Sequence, residues 1–214
     1  MPTLKSMTVA AATLVLAALV PLTSAQAHPH VWVTAKAEVV YDKGAIVAIE
    51  NHWTFDEFYT AMAIQGLDTN NDGIYSREEL AELAKVNMEG LKEFDYFTFA
   101  KLGTAKVDFN APIEAWLEHK DSLLTLHFKL PLKAPVAAGG GGFTFANYDP
   151  SSFIAFEMAK GEAVSLKDAP AGCKVAVAEV EESADNKTLA GAFSQQMGGM
   201  GGTAKSAFVT CAKP

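Results

Sequence analysis

The stretch VWVTAKAEVVYDKGAIVAIENHWTF, residues 31–55, decides the fold. Val31, Val33, Ala35, Ala37, Val39 and Tyr41 alternate with Trp32, Thr34, Lys36 and Glu38. A period of two puts the first set on one face of a strand and the second on the other. Asp42-Lys43-Gly44 is a turn signal, with glycine free to take a positive φ. Val47, Ile49 and Trp53 then alternate with Glu50, His52 and Thr54. Two alternating runs about a tight turn form a β-hairpin with one dry face and one wetter face.

Downstream the period changes. Phe55, Phe58, Tyr59, Met62 and Ile64 suit a short amphipathic helix over 55–66. A polar loop follows over 68–76, then a second helix over 77–92 with Leu80, Leu83, Ala84 and Leu91 as its apolar positions. The rest reads as strands at 96–102, 105–109, 113–119, 123–130, 143–148, 153–158, 173–180 and 206–211. A late helix is predicted over 188–197, and glycine-rich connections at 139–142 and 198–202. No internal repeat is visible. The expected fold class is α+β: a mostly antiparallel β-sheet domain with an EF-hand-like helix-loop-helix inserted at about residues 55–92.

Upstream lies MPTLKSMTVAAATLVLAALVPLTSAQA, residues 1–27. Lys5, an apolar run from Val9 to Leu22, and the small residues Ala25 and Ala27 around Gln26 read as a cleavable signal peptide. The run is shorter than the roughly 20 residues that span a bilayer, and Pro21 interrupts it. The expectation is therefore an exported, periplasmic protein of one domain, residues 28–214, with no membrane span in its mature form. The chain carries −8, and Lys5 is the only charge before His28, so the mature part carries −8 − 1 = −9. That balance, with no basic cluster, argues against nucleic acid as a partner. Cys173 and Cys211 are the only cysteines. In an oxidising compartment they are expected to pair as a disulfide.

Residues 68–79, DTNNDGIYSREE, match the calcium-loop pattern D-x-[DN]-x-[DN]-G-x5-E. Asp68, Asn70 and Asp72 bring hard oxygens to positions 1, 3 and 5, and Gly73 permits the sharp turn at position 6. Ile74 would offer its carbonyl, Ser76 would act through water, and Glu79 would bind bidentately. An all-oxygen set favours Ca²⁺. Tyr75 departs from the pattern, which prefers an aliphatic residue there. Ser76 and Glu79 also form a capping box, the ordinary reading of such a turn.

Cleavage after Ala27 would expose His28-Pro29-His30, where an amine and two imidazoles suit Zn²⁺, Ni²⁺, Co²⁺ or Cu²⁺. With the turn centred on Lys43, His30 pairs near Asp56 and His52 near Thr34, about 13 Å apart along the strand. Asp56 is therefore the expected third partner of His28 and His30, rather than His52. His119 and His127 read as packing or surface residues. Met197 and Met200 form a weaker thioether candidate. No Ser/His/Asp or Cys/His set is present, so an enzyme is not expected.

His28-Pro29-His30-Val31-Trp32, Trp53-Thr54-Phe55-Asp56-Glu57, the Asp68–Glu79 loop and Tyr148-Asp149-Pro150-Ser151-Ser152-Phe153 occur in that order. Together they resemble the domain-of-unknown-function 1007 family, over nearly the whole mature chain. The resemblance implies a periplasmic component of a transport system, associated with nickel/cobalt-type or zinc permeases of the inner membrane. The functional expectation is a periplasmic metal-binding accessory of transition-metal transport, with a structural calcium-type loop. The alternative is a calcium-stabilised interaction module without a transition-metal role.

Overall fold

The computed structural model describes residues 29–138, 142–151, 153–179 and 205–212. The signal-peptide reading, His28, the helix over 188–197 and the Met197/Met200 pair lie outside the described residues. The hairpin forms as its alternation requires, from β1 (Val31–Asp42) and β2 (Ala45–Phe55). Lys43 and Gly44 both take positive φ, 48° and 79°, the handedness that a two-residue hairpin turn needs. Val33 pairs with Phe55, so His52 lies opposite Lys36, not Thr34. The two-residue turn and a bulge at Val40/Tyr41 account for the two-residue displacement.

The hairpin is the centre of the first sheet, whose order is β5 (Ile113–Lys120), β6 (Leu123–Ala137), β2, β1, β8 (Ile154–Met158). A short strand absent from the sequence reading, β9 (Val164–Lys167), extends the β8 edge of β1. Both β8 and β9 run parallel to β1. The second sheet has the order β10 (Cys173–Glu179), β11 (Lys205–Cys211), β7 (Phe143–Asn147), β3 (Thr98–Leu102), β4 (Ala105–Val107).

The inner face of the first sheet has two coverings. At one end Val39, Ile49 and Val136 pack against Phe143, Phe145 and Val209 of the second sheet. At the other, Trp53, Leu126 and Phe128 pack against Leu80, Ala84 and Phe97 of the segment joining β2 to β3. The buried side chains of Asn51 and Asn147 connect the two sheets, the Asn147 amide donating to Asn51 Oδ1 at 3.1 Å and to Thr98 Oγ1 at 2.9 Å.

The α+β expectation is corrected here. Strands make up 53% of the described structure and helices 16%, so the fold is mostly β, in two sheets. Nor is there an inserted EF-hand-like helix-loop-helix. Helix α1 spans only Glu57–Ala63, ending five residues before Asp68. Helix α2 spans Ala81–Leu91 and starts after Glu79, whereas an EF-hand loop runs directly between its two helices. The capping box at Ser76 starts a turn over 77–80, but that turn breaks at Leu80, which is fully buried in the core. A 3-10 segment, Lys92–Phe97, then leads into β3.

Cys173 and Cys211 stand opposite each other in β10 and β11 and form a disulfide. No described helix is long and apolar enough to cross a membrane.

Candidate functional site

The calcium-type loop is closed by its own side chains. Asp68 takes the Asp72 amide on Oδ1 (3.1 Å) and the Gly73 amide on Oδ2 (3.0 Å). Asn70 Oδ1 also accepts from the Asp72 amide, and Asp72 Oδ1 accepts from the Ile74 amide at 2.7 Å. Gly73 makes the bend at φ +79°, where a side chain would be strained. Glu79 joins the ends: Oε1 accepts from the Thr69 amide and hydroxyl, and Oε2 from the Ser76 amide and hydroxyl, all at 2.9 Å. The Ser76 amide and hydroxyl, then those of Thr69, lower the Glu79 carboxyl from its ordinary value to about 2. Among the described residues no three His, Cys, Asp or Glu side chains converge closely enough to hold an ion. A cation in this loop would draw Glu79 away from Ser76 and Thr69. The Ile74 side chain points to solvent, two-thirds exposed.

At the amino end, the His30 amide donates to the Phe153 carbonyl at 2.9 Å, and its ring lies 4.9 Å from that of Phe153. Asp56 is occupied by backbone: Oδ2 accepts the Trp32 amide at 2.8 Å and Oδ1 the Tyr59 amide at 2.9 Å, capping α1. The register shift places Trp32, not His30, opposite Asp56. His28, the third member of that set, is outside the described residues.

The outer face of the first sheet joins two histidines that the sequence reading kept apart. His52 on β2 and His127 on β6 are register partners, and their Nδ1 atoms lie 2.7 Å apart. Both rings are half-buried. Burial pushes His52 below the ordinary imidazole value; burial, and then its neighbour His52, do the same to His127. Trp116 on β5, the next partner along the row, stacks on the His127 ring at 4.0 Å and 9°. The guanidinium of Arg77 covers the Trp116 ring at 4.4 Å. Arg77 belongs to the turn between Ser76 and Glu79, so the calcium-type loop and the histidine pair meet through Trp116. Glu118 Oε2 lies 3.6 Å from His127 Nε2, a buried atom with no hydrogen-bond partner. His119 points to the other face, with its ring centroid 4.8 Å from that of Tyr75. Alternation alone places His127 with Thr125 and Lys129 on the outer face. Its partner, 75 residues away, depends on the β2–β6 register, which no local signal gives.

The chain matches the family model described as "Protein of unknown function (DUF1007)" over residues 13–207, and it belongs to that family. It is also similar to an uncharacterized 15.5 kDa protein in the trpE 3′ region of Spirochaeta aurantia. The two are 31% identical over 106 residues, 47% of this chain and 71% of that protein.

Proposed function

We propose that this protein is an exported metal-binding accessory of a transition-metal transport system, in which the Asp68–Glu79 loop holds Ca²⁺ for structure. The observation that carries the metal-binding part is the order of oxygen-bearing side chains, Asp68, Asn70, Asp72 and Glu79, around the bend at Gly73, where each now accepts amides of the loop itself. Hard oxygens in this order suit Ca²⁺, and imidazoles suit Zn²⁺, Ni²⁺, Co²⁺ or Cu²⁺. In this reading the amino-terminal His28 and His30 capture the transition metal, and an inner-membrane permease receives or supplies it. The Cys173–Cys211 disulfide is compatible with export.

The test is a metal titration on protein beginning at His28, beside a His28→Ala/His30→Ala variant and an Asp68→Ala variant. Loss of Zn²⁺ binding in the first variant and of Ca²⁺ binding in the second supports both parts. A parent that binds neither ion sinks the reading. Ca²⁺ binding alone leaves a calcium-stabilised interaction module.

A further inference from the structure

We propose that His52 and His127 form a second transition-metal site on the outer face of the first sheet, with both Nδ1 atoms as ligands. It rests on the reading that the protein handles such ions, and adds a place where one is held.

The argument is geometric. Two Nδ1 atoms face each other at 2.7 Å. A tetrahedral Zn²⁺ with nitrogens at about 2.0–2.1 Å separates its ligand atoms by about 3.3 Å. Opening the pair by roughly 0.6 Å, within reach of small ring rotations, therefore admits an ion. The His127 ring is set by its stack on Trp116, which Arg77 covers from the turn. Its other nitrogen, Nε2, faces the Glu118 carboxylate at 3.6 Å. On metal binding, a small movement would bring this carboxylate into hydrogen-bond distance of the non-ligating nitrogen and hold the proton there, leaving Nδ1 to the ion, as in many histidine metal sites.

Neighbouring oxygens are engaged elsewhere. Thr54 and Thr125 bond each other at 3.0 Å, and Glu50 accepts from Lys167 at 3.2 Å. The protein thus supplies two nitrogens, and water or an incoming donor group completes the shell. Two protein ligands on a sheet face suit an ion that is passed on rather than retained. The imidazoles select Zn²⁺, Ni²⁺ or Cu²⁺ over Ca²⁺, so the site differs in chemistry from the Asp68–Glu79 loop.

Zn²⁺ is the probe. It is titrated against a chromophoric chelator into protein beginning at His28, and into the His28→Ala/His30→Ala, His52→Ala, His127→Ala and Glu118→Gln variants. Imidazole ¹⁵N spectra are recorded on the parent, so the result does not depend on any variant folding. The expected result is a joint shift of the His52 and His127 Nδ1 resonances to the positions of coordinated nitrogen. Zn²⁺ affinity at this site falls on the order of tenfold or more in His52→Ala, His127→Ala and Glu118→Gln, and is unchanged in the terminal variant.

If both Nδ1 resonances stay in place at saturating Zn²⁺, the pair is an ordinary shared-proton contact and the proposal is overturned. If they stay in place while the terminal variant loses all binding, the transport-accessory reading stands without this site. A parent that binds no Zn²⁺ removes both.

Discussion

Asp56 and Trp32 hold each other twice: the Asp56 amide donates to the Trp32 carbonyl at 3.0 Å, and Asp56 Oδ2 accepts the Trp32 amide at 2.8 Å. The same carboxylate caps α1 through the Tyr59 amide. One side chain thus fixes the start of β1, the end of β2 and the direction in which the chain leaves the sheet. Asp56→Ala is expected to lose about 1–2 kcal/mol of stability, the range for a lost N-cap, in denaturant unfolding. Asp56→Asn should lose less, because its carbonyl oxygen still accepts.

The Asp56 carboxyl also sets an acid-side pH dependence. Partial burial pushes it up, but the amides of Trp32, Tyr59 and Phe58 outweigh burial and hold its pKa below the ordinary aspartate value. A depressed folded-state pKa stabilises fully above the unfolded value of 3.8, and the contribution is lost as pH falls through the lower folded value. Melting temperatures of parent and Asp56→Ala should therefore converge as pH is lowered below 3.8. A gap that stays constant down to the lowest pH would show that the carboxylate is not responsible.

The Asn147 amide is the buried polar link between the sheets. Asn147→Ala leaves the Asn51 and Thr98 oxygens without that donor inside the core. The expected cost is about 2 kcal/mol, the penalty for stranding a buried polar group. The denaturant midpoint should fall with an unchanged slope. A midpoint equal to the parent's would mean that the link contributes nothing.

Reduction of the Cys173–Cys211 disulfide, whose sulfurs belong to residues 38 apart in sequence, removes a cross-link worth about 3–4 kcal/mol on the chain-entropy model. Melting with and without reductant should show this drop. A Cys173→Ala/Cys211→Ala variant should match the reduced protein and not respond to reductant.

Under the calcium proposal, Glu79→Gln should weaken Ca²⁺ binding on the order of tenfold or more, since it removes a charged ligand. It should also loosen the loop without Ca²⁺, because Thr69 and Ser76 lose a carboxylate acceptor. Calorimetric titration measures the first effect. Equal Ca²⁺ affinity in the two proteins would exclude Glu79 as a ligand.

The hairpin was legible because its buried face follows strict alternation from Val31 to Val39, and the disulfide because the chain has only two cysteines. The helical insert was misread for a local reason. The Asp68–Glu79 spacing implies flanking helices, but Glu79 turns back on Thr69 and Ser76, and Leu80 drops into the core. The Leu80 backbone, at φ −85° and ψ −5°, is off the helical value, so the regular helix starts only at Ala81. The bulge at Val40/Tyr41 accounts only for the misplaced partner of His52 on β1, whereas the His52–His127 pair was missed because it depends on the β2–β6 register, which no local signal gives. Pairing between β2 and β6 is decided by packing, where Trp53 meets Phe128 edge to face at 4.8 Å.

The pairing of β10 with β11 has a practical consequence. Glu179 and Lys205 stand opposite each other at one end of that pair, and the Cys173–Cys211 cross-link secures the other. Whatever is inserted between residues 179 and 205 therefore starts and finishes at neighbouring points on the second sheet. Doubling the length of a flexible connection between two fixed ends costs only about 0.6 kcal/mol in closure entropy. A histidine-free affinity tag or fluorescent reporter placed there would leave the amino terminus native, as titrations of His28 and His30 require.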